Sequence, residues 1–158
     1  MKKLIIIGAG GYGLLVRELA VSKGYENIIF LDDNSKLASG KISDVQRFAD
    51  YENFVIAIGN PTVRKKLAME IEKILKPVNI IANTAVISAS ADIGHGCIVE
   101  HNVVVNSNAK IKDYVIVNAG AVVNHDASVG EFCQIDCNAV VASGKNVECM
   151  YKVKSSLL

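Results

Sequence analysis

The sequence lacks an excess of charge of either sign and lacks long apolar runs. Its 158 residues include 17 lysines and arginines against 16 aspartates and glutamates, so the net charge is +1. A balance of this kind does not predict a nucleic-acid or anionic-membrane partner. The apolar run at residues 4–7 is far too short to span a bilayer, and a glycine turn follows it, which is unlike a secretory signal. We therefore expect a cytoplasmic protein.

The sequence also lacks the cysteine spacings of metal sites. Its four cysteines all lie in the second half, without a CxxC pair or a histidine at zinc-site spacing. In a reducing compartment, such cysteines are typical of small core or turn residues rather than of disulfides. Cys97 and Cys133 fall at positions that we expect to be buried corners. We predict no metal site.

Residues 1–80 have the pattern of an α/β domain. Short apolar runs predict buried strands at residues 3–7, 28–31, 54–58 and 78–81. Between them, apolar residues recur at helical spacing from 12 to about 23 and again from Pro61 onward. The expected buried stripe of the second helix is Val63, Leu67, Ile71 and Ile74. Continuous apolar strands that alternate with helices predict a parallel, Rossmann-like sheet that is covered on both faces.

Residues 81–158 repeat with a period of six. Isoleucine or valine occupies thirteen successive positions at this spacing, from Ile81 to Val153, and a mostly small residue follows four positions after each. The period fits neither a helix nor a hairpin meander, but it fits a coiled parallel sheet in which each hexad forms one flat side. Three sides make a coil of about 18 residues, and stacked coils bury one continuous apolar column. The second predicted domain is therefore a β-helix.

A glycine-rich turn follows the first predicted strand. It fits G-x-G-x-x-G between a strand and a helix, and two aspartates end the next strand about 20 residues later. Such glycines let the backbone approach a diphosphate, and an acidic residue can accept hydrogen bonds from a ribose or a base. A nucleoside diphosphate suits this single mononucleotide-binding half better than NAD, and a tight turn without a ligand is the alternative. The candidate residues are Gly8, Gly10, Gly11, Tyr12, Gly13, Asp32 and Asp33.

A second candidate binding segment follows the third predicted strand. Gly59 and Asn60 end this strand, and Arg64 lies in the first turn of the next helix. Ligands of open α/β sheets collect at the carboxyl edge where these residues lie. A plain strand–helix turn explains them equally well.

Three histidines, His95, His101 and His125, each follow an inward aliphatic by two residues, so each is expected to project from the coil. Asp126 follows His125, and Asn118 lies in the preceding hexad. A neutral imidazole beside a carboxylate suits a general base near pH 7. A solvated surface histidine is the alternative for all three.

Both regions together resemble the bacterial sugar acetyltransferases of the PglD/NeuD type. The resemblance rests on residues 8–13, 30–33, 56–60, 64–66 and 123–132, in that order. It implies a left-handed β-helix, a homotrimer, and active sites between neighbouring subunits. It also implies acetyl-CoA as the acetyl donor. The implied acceptor is the amino group of a nucleotide-linked sugar, of the UDP-4-amino-4,6-dideoxy type.

The resemblance implies roles for individual residues of the coil. His125 falls on the family's catalytic histidine, Asp126 on its acidic companion, and Asn118 on an active-site asparagine. Gly144 is assigned to the acetyl-CoA site. The sugar amine would attack the thioester directly, with His125 as the base.

The sequence departs from the family's pattern in three places. Tyr12 and Gln134 stand where relatives have histidines, and the regular array decays after Val141, with Lys145 and Tyr151 at positions that should be small. We therefore expect residues after about 147 to leave the coil and acetyl-CoA to bind weakly. The alternative function is a shortened, non-catalytic relative that binds nucleotide sugars or acts as a scaffold. An NAD-dependent enzyme is the third interpretation.

Overall fold

The structure, a computed structural model, describes residues 1–155. The chain divides into two compact units, one of residues 1–80 and one that begins at Ile81. Among the described residues, no helix has the length and apolar character that crossing a membrane requires. Within the same residues, no cluster of histidine, cysteine or carboxylate side chains is arranged to hold a metal ion.

The first unit is a small parallel sheet with two helices. Its elements are β1 (Lys2–Ile7), α1 (Gly11–Ser22), β2 (Tyr25–Leu31), a 3₁₀ segment (Ile42–Tyr51), β3 (Asn53–Ile56), α2 (Pro61–Ile71) and β4 (Lys76–Pro77). The strand order is β2-β1-β3-β4, and all neighbours run parallel. Leu4 to Ile7 of the central strand are fully buried, as a strand covered on both faces requires. The predicted parallel α/β sheet is confirmed.

Two details of this unit differ from the sequence prediction. The strand predicted at 78–81 is wrong, because β4 ends at Pro77 and the next strand, β5 (Ile80–Ile81), belongs to a sheet of the coil. The predicted stripe of α2 is also shifted, because Val63 is 42% exposed while Arg64 is fully buried. The Arg64 guanidinium donates to the carbonyls of Ile58 and Gly59 at 2.7 and 2.9 Å. These bonds offset the cost of burying its charge.

The second unit is a β-helix of two-residue strands. After β5 come β6 (Val86–Ile87), β7 (Asp92–Ile93), β8 (Ile98–Val99), β9 (Val104–Val105), β10 (Lys110–Ile111), β11 (Ile116–Val117), β12 (Val122–Val123), β13 (Ser128–Val129), β14 (Gln134–Ile135), β15 (Val140–Val141), β16 (Asn146–Val147) and β17 (Lys152–Val153). They form three parallel sheets, with the orders β16-β13-β10-β7, β17-β14-β11-β8-β5 and β15-β12-β9-β6. Each strand pairs with the strand three hexads later, for example Lys110 with Ser128. The predicted parallel β-helix with an 18-residue coil is confirmed.

The interior of the coil is the predicted aliphatic column. Residues at the inward positions from Val99 to Val141 are at most 3% exposed, and smaller partners such as Ala109, Ala121 and Cys133 pack between them. Cys97 and Cys133 are fully buried, as expected, and their thiols donate to the backbone carbonyls of Lys112 and Glu148. A column that is apolar along its length holds the coils together, because each coil covers the apolar surface of the next.

From Gly96 onward, each described corner of the coil has a left-handed residue three positions after the inward aliphatic. The residues with this conformation are Gly96, Asn102, Asn108, Tyr114, Gly120, Asp126, Phe132, Asn138, Gly144 and Met150. Glycine, asparagine and aspartate tolerate a positive φ. Tyr114 and Phe132 do not favour it, but their rings stack with centroids 5.2 Å apart. We infer that this stacking offsets the backbone cost at these two corners.

The expectation that residues after about 147 leave the coil is wrong for the described residues. β16 pairs with β13 and β17 pairs with β14, in the same register as the earlier coils. The Lys145 side chain is exposed, while its backbone carbonyl still accepts from Ser128 N at 2.8 Å. The ladder is therefore kept without burying the ammonium group. Residues 156–158 lie outside the described residues.

Candidate active site

The corner after β12 carries a histidine–aspartate pair. Nδ1 of His125 lies 2.8 Å from Oδ2 of Asp126, and both side chains are about half exposed. A carboxylate can only accept, so Nδ1 is the atom that carries the proton of the neutral ring. Nε2 is then the basic nitrogen, on the opposite side of the imidazole. The pair can therefore act as an oriented general base.

Asp126 is itself held in place by its neighbours. Its backbone lies in the left-handed region, and its N–H donates to the Ser107 carbonyl at 3.0 Å. Its second carboxylate oxygen accepts from Nδ2 of Asn108 at 3.1 Å. The hydrogen bonds from His125 and, to a lesser degree, Asn108 lower the pKa of the Asp126 carboxyl. Asp126 is therefore ionised at neutral pH, where it can support an imidazolium.

The backbone of His125 is anchored on both sides. Oδ1 of Asn124 accepts from His125 N at 2.9 Å, and Nδ2 of Asn106, one coil earlier, donates to the same oxygen at 3.0 Å. Gly144, one coil later, donates its N–H to the His125 carbonyl at 3.0 Å. Gly144 is exposed, with open space where a side chain would project. The predicted acetyl-CoA residue thus leaves room beside His125.

Asn118 lies at the preceding corner, after β11, and is 7% exposed. Its Nδ2 donates to Oε1 of the buried Glu100, and its Oδ1 accepts from Nε2 of Gln134 at 2.9 Å. Asn118 and His125 lie at opposite ends of β12. Within the described residues of a single chain, no hydrogen bond joins their side chains. The sequence prediction missed Glu100, although it lies one 18-residue coil before Asn118 and shares its position in the hexad.

The other two histidines also project from the coil as predicted. Nδ1 of His101 lies 2.9 Å from the Thr84 hydroxyl. Nδ1 of His95 lies 3.1 Å from Oδ1 of Asp113, which forms a second histidine–carboxylate pair. Sequence reasoning sought only neighbours along the chain and missed Asp113. The 18-residue period of the coil could have predicted this contact, since Asp113 stands 18 residues after His95.

The glycines of the turn after β1 divide into two kinds. Gly8 has φ +103, and a side chain on Gly13 would meet the Gly8 carbonyl oxygen at 2.1 Å. These two residues are therefore required for packing α1 against β1. Gly10 and Gly11 have open space where a side chain would project. They lie at the N-terminus of α1, where a diphosphate can approach the backbone N–H groups. Tyr12 is half buried.

The two aspartates after β2 have different surroundings. The Asp32 carboxylate accepts from the backbone N–H groups of Ala9, Asn34 and Ser35 at 2.8–3.0 Å. These bonds, with that from Ala9 first, lower the pKa of Asp32. Asp32 thus ties the glycine turn to the loop after β2. Asp33 is exposed and accepts one bond, from Ile42 N at 3.0 Å. Asp33 is the more accessible of the two for a ligand.

Gly59, Asn60 and Arg64 follow β3 at the same edge of the sheet. Oδ1 of Asn60 accepts from Val63 N at 3.1 Å and so caps α2. Arg64 is fully buried against the carbonyls of Ile58 and Gly59. These contacts favour the alternative of a strand–helix turn for Asn60 and Arg64. Gly59 is exposed beside them.

A groove of about 820 Å³ runs between the 3₁₀ segment and α2. Apolar side chains, including Ile42, Val45 and Leu67, form part of its wall, and Asp33, Lys41 and Lys66 also line it. The sequence prediction missed this groove because it assigned no element to residues 42–51, which form one of its walls. Its apolar wall and its charged groups suit a nucleoside.

Comparisons with known proteins give a family match for the first unit and a relative in Bacillus subtilis. Residues 3–71 match the family described as the PglD N-terminal domain. The UDP-N-acetylbacillosamine N-acetyltransferase of Bacillus subtilis is 31% identical over 111 residues. The match takes in 63% of this chain and 51% of that relative, so the chain spans about half the length of the relative.

Two solved structures share the fold across both units. One is a mutant of perosamine N-acetyltransferase from Caulobacter crescentus in complex with CoA and GDP-perosamine, with 28% identity, a TM-score of 0.85, and coverage of 91% of this chain and 73% of that one. The other is the acetyltransferase domain of PglB from Neisseria gonorrhoeae in complex with acetyl coenzyme A. It has 27% identity, a TM-score of 0.80, and coverage of 96% of this chain and 87% of that one. The first unit thus matches the PglD N-terminal domain, and both units have the fold of these two acetyltransferase structures, a Rossmann-like unit followed by a left-handed β-helix of hexapeptide repeats.

Proposed function

We propose that this chain transfers an acetyl group from acetyl-CoA to an amino group of a nucleotide-linked sugar. The observation that carries the proposal is the orientation of His125 by Asp126, which directs the unprotonated Nε2 away from the carboxylate. The substrate classes follow the relatives, since the Bacillus relative is named for a UDP-linked sugar and the Caulobacter structure holds CoA and GDP-perosamine. Within this class we propose a UDP-linked 4-amino-4,6-dideoxy sugar.

In the proposed reaction, the sugar amine attacks the thioester carbonyl carbon. Nε2 of His125 takes the amine proton as the C–N bond forms. The tetrahedral intermediate then collapses, the C–S bond breaks, and the leaving CoA thiolate takes the proton from Nε2 of His125, which restores the neutral base. Asp126 stabilises the imidazolium that His125 becomes. No acyl-enzyme forms, so a serine or cysteine nucleophile has no part in the reaction.

The first unit is proposed to bind the nucleotide. Gly10 and Gly11 have no side chain, and the space beside them is empty. A diphosphate can therefore approach the backbone N–H groups at the N-terminus of α1. Asp33 begins the groove that leads along α2, and we propose that the nucleoside lies there. The roles of Gly8, Gly13 and Asp32 in this proposal are to shape the turn rather than to touch the ligand.

We also propose that the chain forms a homotrimer in which His125 of one subunit faces Asn118 of the next. The two residues flank β12, so the flat side that contains β12 is the surface to be covered. Its outward residues are Val86, Val104, Val122 and Val140, and the end members are 63% and 58% exposed. An apolar stripe on a flat sheet favours burial against another subunit. Light scattering on the purified protein should give about three times the chain mass of 16.9 kDa.

The function is tested by incubating the protein with acetyl-CoA and a panel of UDP-, GDP-, dTDP- and CMP-linked amino sugars. Release of CoA is followed with a thiol reagent, and the acetylated sugar by mass spectrometry. We expect acetylation of a nucleotide amino sugar by the wild type and its near loss in His125→Ala. Calorimetry that shows UDP binding without CoA binding would favour the non-catalytic alternative. Binding of NADH at the glycine turn would favour the third interpretation.

A further inference from the structure

A buried carboxylate lies one coil before Asn118. Glu100 directly follows β8 and is only 4% exposed. Its Oε1 accepts from Nδ2 of Asn118, and its Oε2 accepts from the backbone N–H of Ala119 at 3.1 Å. One carboxylate therefore holds both the side chain of Asn118 and the backbone that follows it.

This contact decides the orientation of the Asn118 carboxamide. A carboxylate has no proton to donate, so the atom of Asn118 that faces Glu100 must be the NH₂ group. The carbonyl oxygen of Asn118 then points away from Glu100, and it accepts from Nε2 of Gln134 at 2.9 Å. Reversing the amide would place oxygen against oxygen at Glu100 and nitrogen against nitrogen at Gln134.

The same reasoning extends to Gln134. Because its Nε2 donates to Asn118, its Oε1 is the remaining polar atom of the side chain. This oxygen accepts no hydrogen bond from residues 1–155, and Gln134 is half buried. The chain of contacts Glu100–Asn118–Gln134 thus ends in an acceptor at the corner that carries Asn118.

Burying a carboxylate at position 100 costs free energy, because the charge loses its hydration. An apolar side chain of similar size at position 100 would avoid the cost of removing a carboxylate from water, and such replacements are often neutral or stabilising. The carboxylate does what an apolar group cannot, because it fixes the direction of both carboxamides.

We propose that Glu100 is a positioning residue for the acetyl transfer. It orients Asn118 and, through it, Gln134, so that the Gln134 oxygen accepts from an N–H group of a substrate. This inference rests on the proposed function. Both substrates carry such a donor: the sugar has its amino group, and acetyl-CoA has the amides of its pantetheine arm. The KM for the sugar and the KM for acetyl-CoA distinguish these two donors.

The principal test is Glu100→Gln. Glutamine offers one acceptor and one donor, so it cannot accept from both Asn118 and Ala119. We expect kcat to fall about tenfold, because small misplacements of positioned groups carry penalties of this size or larger. A rise in KM for the sugar assigns the Gln134 oxygen to the amine, and a rise in KM for acetyl-CoA assigns it to the CoA arm. Asp136→Asn is the matched control, since this carboxylate pairs with Lys152 at 3.0 Å and has no bond to Asn118.

A second readout does not depend on activity. In protein labelled with ¹⁵N only at asparagine and glutamine side chains, the Asn118 and Gln134 NH₂ resonances should shift in Glu100→Gln. The Gln134 NH₂ resonances should return toward their original positions in Glu100→Gln combined with Asn118→Asp, in which position 118 has no NH₂ group of its own. In that double variant, Gln at position 100 donates to Asp at position 118, which still accepts from Gln134. A merely structural role for Glu100 would change the melting temperature without this reversal.

The outcomes separate the two proposals. Wild-type protein that acetylates none of the sugars would contradict the proposed function, while the spectra would still decide whether Glu100 orients the carboxamides. A folded Glu100→Gln variant with kcat and both KM values within about twofold of wild type would overturn the positioning role. If Glu100→Gln does not fold, Gln134→Leu takes its place, because it removes the outward oxygen without touching the buried carboxylate. An unchanged kcat and unchanged KM values in Gln134→Leu would overturn the inference as well.

Discussion

His125 and Asp126 are consecutive residues, yet their side chains meet, with 2.8 Å between Nδ1 and Oδ2. Consecutive side chains of an extended strand point to opposite faces. The pair meets because the chain turns the corner at Asp126, with φ 59. The corner conformation of the coil is therefore part of the candidate catalytic geometry. An aspartate at position 126 both tolerates the left-handed corner and accepts the hydrogen bond from His125.

Replacement of His125 tests the general base. His125→Ala should lower kcat by roughly 10²–10⁴ and leave nucleotide binding nearly intact, because Nε2 is the proposed proton acceptor. Steady-state kinetics and calorimetry with UDP measure the two effects. His101→Ala and His95→Ala are the matched controls, since both rings also project from the β-helix, and His95 also pairs with a carboxylate. Equal losses in all three variants would show that position in the coil does not decide the base.

Two variants of Asp126 separate its charge from its conformation. Asp126→Asn keeps a residue that tolerates a positive φ and can still accept from Nδ1, so the fold should be retained. Its kcat should fall about tenfold or more, because the imidazolium loses its ionic partner. Asp126→Ala should in addition lose about 1 kcal/mol of stability, because alanine disfavours the left-handed region. Thermal melts and kinetics on both proteins check this, and equal kcat in Asp126→Asn and wild type would contradict a role for the charge.

The glycine turn offers a matched pair of substitutions. Gly13→Ala should destabilise the first unit by about 3 kcal/mol, because the new methyl group would lie 2.1 Å from the Gly8 carbonyl oxygen. Gly11→Ala should leave stability nearly unchanged, since that position opens onto free space. Its effect should instead be weaker binding of the nucleotide, if a diphosphate approaches the N-terminus of α1. Urea denaturation and calorimetry distinguish the two, and a stable Gly13→Ala protein would refute the packing argument.

The Asp32 carboxylate predicts a pH-dependent contribution to stability. Its pKa is lowered in the folded chain by the N–H groups of Ala9, Asn34 and Ser35. A carboxyl group whose folded pKa is depressed stabilises the fold above its unfolded pKa, about 3.9, and this stability is lost as the pH falls through the folded pKa. Asp32→Asn should therefore cost about 1–2 kcal/mol at pH 7. The difference from wild type should shrink below about pH 4.

Denaturation curves at pH 7 and at pH 3 measure this difference. Asp33→Asn is the control, because Asp33 is exposed and, within residues 1–155, accepts a single hydrogen bond, from Ile42 N. A difference between wild type and Asp32→Asn that stays constant over this range would mean that the ionised carboxylate does not hold the turn.

Most of the fold follows from patterns along the chain. The aliphatic residues at a period of six predict the three-sided coil, because backbone geometry allows few structures with that repeat. The apolar runs likewise predict the parallel sheet of the first unit. The 3₁₀ segment was not predicted, although its apolar residues Ile42, Val45 and Phe48 recur every three positions. A lysine at position 145, where the repeat calls for a small residue, predicted that the chain leaves the coil, whereas its exposed side chain leaves the backbone ladder intact.

For the candidate site, sequence alone determined what is local: the histidine–aspartate neighbours, the glycine turn and the coil that displays them. Tertiary structure decided every contact that joins residues one coil apart or one loop apart. The Glu100–Asn118 and His95–Asp113 contacts arise because stacked coils bring together side chains 18 residues apart. The burial of Arg64 likewise depends on carbonyls that only the folded turn presents. Periodicity is encoded along the chain, but a hydrogen bond depends on distance and direction in three dimensions.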